Sequence, residues 1–224
     1  MTSHPVLTRG SGWVAAMAIA AVTVIALPPG SASADPCPDV EVVFARGTGE
    51  PPGLGRVGQA FVDALTPQLG ERTVGTYAVN YPASYNFLTT AMGANDAAGH
   101  VATMAEQCPA TRLVLGGFSQ GAAVAAMLAG VPPLGNTVGS IGSAPPLSPD
   151  LAGKISAIAV FGNPSARFGS PLSTSGIFAG RAIDLCNPDD PICSPGGRSR
   201  AAHNGYELPP YNQQAAGFVA GLLQ

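Results

Sequence analysis

The chain has 224 residues, and at about 150 residues per domain this leaves room for one domain or two. Charged residues make up only 10% and hydrophobic residues 46%, against about 25% charged in ordinary soluble domains, which excludes a disordered chain and supplies one sizeable core. The net charge is −3 and Lys154 is the only lysine, so no basic stripe exists to neutralise phosphates, which argues against nucleic acid as a partner.

The first predicted element is a leader. Arg9 precedes an apolar run over residues 13–27, Pro28-Pro29 breaks it, and Ala32-Ser33-Ala34 follows with the small residues that a signal peptidase cuts behind. The run is shorter than the roughly 18 to 20 residues needed to span hydrocarbon. Residues 1–34 are therefore expected to be a signal peptide and residues 35–224 the mature domain, secreted or held at the cell envelope, with no transmembrane anchor after cleavage.

In the mature part, residues 41–45 form a short apolar strand, and Val57, Phe61, Leu65 and Leu69 recur every four residues as one helical stripe. Residues 77–81 read as a second strand ending at Pro82, and Ala97, Val101, Met104 and Cys108 mark the next helix face. A third strand at 112–115, an apolar helix at 122–129, a fourth strand at 155–161 and a fifth at 182–185 continue the alternation, and Ala215, Phe218, Val219 and Leu222 make a last amphipathic helix. Strands alternating with helices need crossovers, and near-continuous apolar strands fit a sheet covered on both faces. The expected fold is α/β, a three-layer sandwich around a mainly parallel five-stranded sheet. The Gly/Pro/Ser-rich stretches 131–153 and 163–180 read as surface loops.

All four cysteines, Cys37, Cys108, Cys186 and Cys193, lie beyond the leader, and an even count in an exported chain points to disulfides. There is no C-x-x-C pair and only two histidines remain, which argues against a metal cage. Three pairings are open; the short separation favours Cys186 with Cys193, leaving Cys37 with Cys108.

Gly117-Phe118-Ser119-Gln120-Gly121 matches G-x-S-x-G between a predicted strand and a predicted helix, the context in which such a turn projects a serine hydroxyl. The small residues Gly116, Gly117, Gly121, Ala122 and Ala123 allow close approach of helix to strand, and the helix N-terminus offers N–H groups to an anion. Serine needs a base beside it, and the choice lies between His100 and His203. His100 precedes the serine, against the Ser, Asp, His order of α/β-hydrolases, and reads as a surface or boundary histidine; His203, in a loop before the last helix, is the expected base. Asp184, Asp189 and Asp190 are candidates to orient it, the last two inside the Cys186 to Cys193 loop, and spacing does not separate them.

Read together, these segments resemble the cutinase family, in particular secreted bacterial cutinase-like serine esterases. The resemblance rests on Phe44-Ala45-Arg46-Gly47-Thr48, Asn80-Tyr81-Pro82-Ala83, Cys108-Pro109, Gly116-Gly117-Phe118-Ser119-Gln120-Gly121-Ala122, Cys186-Asn187-Pro188-Asp189-Asp190-Pro191-Ile192-Cys193 and Ala202-His203-Asn204-Gly205-Tyr206. It implies Asp190 as the catalytic aspartate and His203 as the histidine, and the pairs Cys37 with Cys108 and Cys186 with Cys193. It also implies an oxyanion hole from Thr48 and Gln120, mainly through backbone N–H groups, with the Thr48 hydroxyl as a further donor. Fungal members carry bulky apolar residues before the histidine, whereas 194–202 reads Ser-Pro-Gly-Gly-Arg-Ser-Arg-Ala-Ala; Phe87 and Leu88 are the candidates for the remaining apolar wall.

The expectation is a monomeric serine esterase without metal or organic cofactor, acting on short- to medium-chain acyl esters or lipids. The competing readings are a polysaccharide-deacetylating carbohydrate esterase and an inert envelope-binding scaffold.

Overall fold

Every residue of β1 (Val40–Ala45) is buried, as a strand in the middle of a sheet with both faces covered must be. The computed structural model describes residues 1–2, 37–135 and 141–224; the leader, its cleavage position and the 136–140 part of one expected loop lie outside them. The chain divides at Asp35 into two units, and the fold is that of the second, Pro36–Gln224.

Its sheet also contains β2 (Val74–Ala78), β3 (Arg112–Phe118), β4 (Ile155–Phe161) and β5 (Ala182–Leu185), all parallel, in the order β2-β1-β3-β4-β5. The helices are α1 (Gly55–Leu65), α2 (Thr90–Gln107), α3 (Gln120–Leu128), α7 (Tyr211–Leu222) and three single turns, α4 (Pro149–Ala152), α5 (Pro164–Arg167) and α6 (Arg200–His203). Because side chains alternate along a strand, Val42 and Phe44 face α1 and α7 while Val43 and Ala45 face α2 and α3, giving two cores, one on each side of the sheet. On the α1 side the rings of Phe44, Phe61 and Phe161 meet with centroids 6.0–6.3 Å apart. Phe44 is fully buried, and truncating such a ring costs about 3–5 kcal/mol.

From β1 the chain goes one way to β2, then crosses back over β1 to β3 and onward to β4 and β5. The order reverses between β1 and β3, and ligands of open α/β sheets bind outside the carboxyl ends of the strands at that crevice. The register Ala45↔Gly117 sets Arg46-Gly47-Thr48 beside Phe118-Ser119 there.

Both expected disulfides form. Cys37–Cys108 ties the chain before β1 to the end of α2 across 71 residues, worth about 4 kcal/mol of loop-closure entropy, and Cys186–Cys193 closes a seven-residue separation after β5. The second strand is displaced from the expected 77–81: pairing ends at Ala78, yet Val79 and Tyr81 stay buried because Val79 N–H still reaches Phe44 O and Tyr81 packs under Arg46. Burial beyond the ladder had the same apolar signature as the strand. The turns α4 and α5 lie inside stretches expected as loops, and α6 makes the expected loop at His203 a helical turn. Each has a side-chain cap, from Ser148, Asn163 and Ser199 respectively, but none is long enough to show a period.

Candidate active site

Ser119 joins β3 to α3 with φ 55° and ψ −112°, a strained conformation for a residue with a side chain. Two glycines make it attainable. A Cβ on Gly121 would lie 1.8 Å from Ala45 O, and one on Gly117 would lie 2.2 Å from Gly121 O, so the helix start is pressed against the strand ends. Ser119 N–H donates to Phe161 O at 2.9 Å, which fastens the turn to β4.

His203 ends α6, whose start is capped by Ser199. Its Nε2 is 2.9 Å from Ser119 Oγ and its Nδ1 is 2.8 Å from Asp190 Oδ2. A carboxylate only accepts, so Nδ1 carries the proton and Nε2 is left to accept from the serine hydroxyl. The imidazole lies 4.9 Å from the Phe118 ring, and its side chain is 16% exposed.

Asp190 is fully buried in the Cys186–Cys193 loop. Its Oδ1 accepts from Ile192 N–H at 2.7 Å, and its Oδ2 accepts from both His203 and the Tyr206 hydroxyl, the latter at 2.6 Å. Burial by itself would raise the carboxyl, but the hydrogen bonds from His203, Tyr206 and Ile192 outweigh it and hold the group below the usual aspartate value. The loop is fixed in turn by Arg167, which donates to the carbonyls of Pro191 and Ser194, and by Gly197, where a Cβ would lie 2.2 Å from Asp190 O. Spacing left three aspartates open and the resemblance implied Asp190; of the three, Asp190 is the one that meets His203. Asp189 is exposed, and Asp184 accepts from Asn163 Nδ2 and Ser173 N–H.

Thr48 and Gln120 meet across the crevice. The Thr48 hydroxyl donates to Gln120 Oε1 at 2.9 Å, and Gln120 Nε2 donates to Thr90 Oγ1 at 2.9 Å. Gln120 N–H is the first of α3, one of the donors a helix leaves unused, and neither it nor Thr48 N–H has a partner among the described residues. The loop carrying Thr48 is held by Arg46, buried beyond β1, which donates to the carbonyls of Glu50, Val79 and Tyr81, and by Glu50, whose carboxylate accepts Gly47 N–H at 2.6 Å.

His100 is remote from this mouth: it bonds Glu41 near the start of β1 at 2.7 Å and stacks on Tyr77. Among the described residues no group of three or more His, Cys, Asp or Glu is placed to hold a metal ion. Arg46, Glu50, Thr90 and Tyr206 were not singled out by sequence. Arg46 carried one usable signal, a charged residue inside an otherwise apolar segment directly after a strand. Tyr85, Phe87 and Leu88 are 82%, 43% and 54% exposed and lie in the segment just before Thr90, whose hydroxyl oxygen accepts from Gln120 Nε2.

A hydroxyl, an imidazole and a buried carboxylate in line at the carboxyl ends of a parallel sheet, with helix-start N–H groups opposite, belong to a serine ester hydrolase of the α/β-hydrolase fold. The chain belongs to the cutinase family, whose model matches residues 36–223. It is 49% identical over 233 residues, 100% of this chain and 87% of the relative, to a probable carboxylesterase, Culp3, of Mycobacterium tuberculosis. It is 53% identical over 213 residues, 93% of this chain and 89% of the relative, to the phospholipase Culp4 of the same species. Among solved structures it resembles a Trichoderma reesei cutinase in complex with a phosphonate inhibitor, at 35% identity and a TM-score of 0.67, covering 85% of this chain and 78% of that one. The chain is accordingly a cutinase-like serine carboxylic ester hydrolase.

Proposed function

We propose that Ser119 is the nucleophile, His203 the general base and acid, Asp190 the residue that orients His203, and Thr48 and Gln120 the oxyanion hole. The observation that carries this reading is the unbroken hydrogen-bond line from Ser119 Oγ through His203 to the buried Asp190. Ser119 Oγ attacks the ester carbonyl as its proton passes to His203 Nε2, and the charge forming on the carbonyl oxygen is met by the N–H groups of Thr48 and Gln120. His203 returns the proton to the departing alkoxide, which leaves as the alcohol. Water then gives a proton to His203 and attacks the acyl-enzyme, releasing the carboxylic acid and restoring Ser119.

The substrates are short- to medium-chain acyl esters, with the acyl chain laid against Tyr85, Phe87 and Leu88. The opposite rim, 194–202, offers Arg198 and Arg200 in place of apolar bulk. The enzyme is exported: residues 1–34 are removed and residues 35–224 are the working domain. The leader pattern and the two disulfides support this, and no helix among the described residues is long and apolar enough to cross a membrane.

Hydrolysis of p-nitrophenyl esters of increasing acyl length, with a phospholipid arm, tests the reading. Ser119→Ala is expected to abolish turnover while keeping the folded protein's Tm, and rate is expected to fall as acyl length grows beyond medium chains. Turnover surviving in Ser119→Ala would overturn the assignment, and preference for long acyl chains or phospholipid would overturn the substrate class.

A further inference from the structure

We propose that Tyr206 is a positioning residue of the ester hydrolysis, its hydroxyl wedged between the Asn187 backbone N–H and Asp190 Oδ2 so that it fixes the carboxylate that fixes His203. The proposal rests on the assignment of Ser119, His203 and Asp190 made above.

The polarity of this contact is unambiguous. Asn187 N–H, 2.9 Å from the phenol oxygen, can only donate, and the carboxylate, 2.6 Å away, can only accept. The phenol proton therefore points at Oδ2, the same oxygen that accepts His203 Nδ1–H. Two donors converge on one oxygen from the same short chain segment, three residues apart, while Ile192 N–H holds the other oxygen. The carboxylate is left no freedom to rotate.

Packing alone does not explain the hydroxyl. Tyr206 is fully buried, its ring set among Phe118, Phe161 and Tyr211 with centroids 5.0–6.1 Å away, a site that a phenylalanine ring fills equally well. Burying a hydroxyl is unfavourable unless it is bonded, and this one bonds to the aspartate and to the backbone of the loop that carries it. Burial and the neighbouring Asp190 push the phenol far above its ordinary value, so it remains a donor wherever the enzyme works.

The chemical effect follows from charge. A donor on Oδ2 spreads the carboxylate's charge and makes it a weaker base. The proton that His203 acquires during acyl transfer then stays on the imidazole, available to the leaving alkoxide. Without the hydroxyl, Asp190 holds the imidazole's Nδ1 proton more tightly, and a higher pH is needed to leave Nε2 open. None of the other charged and titratable groups around the cluster bonds the Asp190 carboxylate or the His203 ring among the described residues. Arg56 bonds Asn204 and Glu207, Arg167 bonds the carbonyls of Pro191 and Ser194, and Tyr211 meets Tyr206 edge-on.

The experiment is Tyr206→Phe, read by the pH profile of kcat/KM on p-nitrophenyl butyrate. Expected are a kcat loss of roughly 10- to 100-fold, the worth of one hydrogen bond to a charged group, an unchanged KM and an acid limb displaced to higher pH. Tyr77→Phe is the control: it removes a tyrosine–carboxylate bond of the same kind, to Asp96 at 3.0 Å, and is expected to change neither quantity. Site-specific replacement of Tyr206 by 3-fluorotyrosine, a stronger donor of similar shape, is expected to displace the acid limb to lower pH, and it serves if the phenylalanine variant does not fold. A Tyr206→Phe enzyme with the wild-type profile and kcat within twofold, or a fluorotyrosine enzyme whose limb does not move, would overturn the proposal. Ser119→Ala separates the levels: retained activity there defeats the underlying assignment, whereas loss there with an unaffected Tyr206 variant defeats only the role of Tyr206.

Discussion

Gly162, the residue after β4, lies under the site with φ +57° and its N–H bonded to Leu185 O. A methyl group there would come to 2.9 Å from His203 Cε1, 3.0 Å from Asp190 Oδ2 and 3.1 Å from His203 Nδ1. Gly162→Ala therefore carries two separable penalties. The left-handed backbone costs a residue with a side chain about 1–2 kcal/mol, which in a domain of this size lowers Tm by about 2–8 °C. The crowding acts on geometry. Ordinary contact begins near 3.4 Å, so the ring and carboxylate must give way by several tenths of an ångström, and the displacement falls on the 2.9 Å line to Ser119. A misplacement of 1 Å costs about 100-fold in rate, so roughly half that displacement costs about tenfold. Gly180→Ala carries the first penalty alone: φ is +86° and nothing lies within 4 Å of a Cβ, so it loses comparable stability with no change in rate. Thermal melting and the kcat of p-nitrophenyl butyrate hydrolysis on both variants decide the matter. Equal kcat in the two would mean that His203 and Asp190 need not hold this geometry for turnover.

Thr48→Val removes the hydroxyl that donates to Gln120 Oε1 and is expected to lower kcat by up to about tenfold, the worth of one neutral hydrogen bond, by loosening the two backbone donors, while Thr48→Ser retains most activity; steady-state kinetics check both. Replacing Cys186 and Cys193 together by alanine is expected to cost about 2–3 kcal/mol and to lower kcat by loosening Asp190, as read from denaturant melts and initial rates. The Asp190 carboxyl is held below the usual value of 3.8 in the folded protein, so its contribution to stability is complete above about pH 4 and is lost as pH falls through the folded-state value. The Tm gap between wild type and Asp190→Asn is therefore expected to be wide at neutral pH and to narrow in acid.

Much of this was legible in the chain because its signals are local. The alternation of apolar strands with helical stripes gave the layered parallel sheet, and the glycines around Ser119 gave the turn, since close approach leaves no alternative to glycine at 117 and 121. His203 followed from order along the chain. Contacts that depend on tertiary geometry were not legible in residue spacing. Asp189 and Asp190 are neighbours in sequence that spacing does not separate; resemblance to a family named Asp190, and in the structure it is Asp190 that takes the bonds from Ile192, Tyr206 and His203. Thr48 lies 71 residues before Ser119 and meets Gln120 because β1 and β3 are adjacent in the sheet; resemblance to a family named it, and composition and spacing did not. Tyr206 was visible only as part of a motif, because a tyrosine's partner is set by what its ring packs against.

The most direct measurement is covalent. A phosphonate ester offered to the enzyme is expected to bind in one equivalent, to map by peptide mass spectrometry to Ser119, and to react far more slowly in His203→Ala. Label on any other residue, or undiminished label in Ser119→Ala, would contradict the central claim that the line from Asp190 through His203 makes this one hydroxyl reactive.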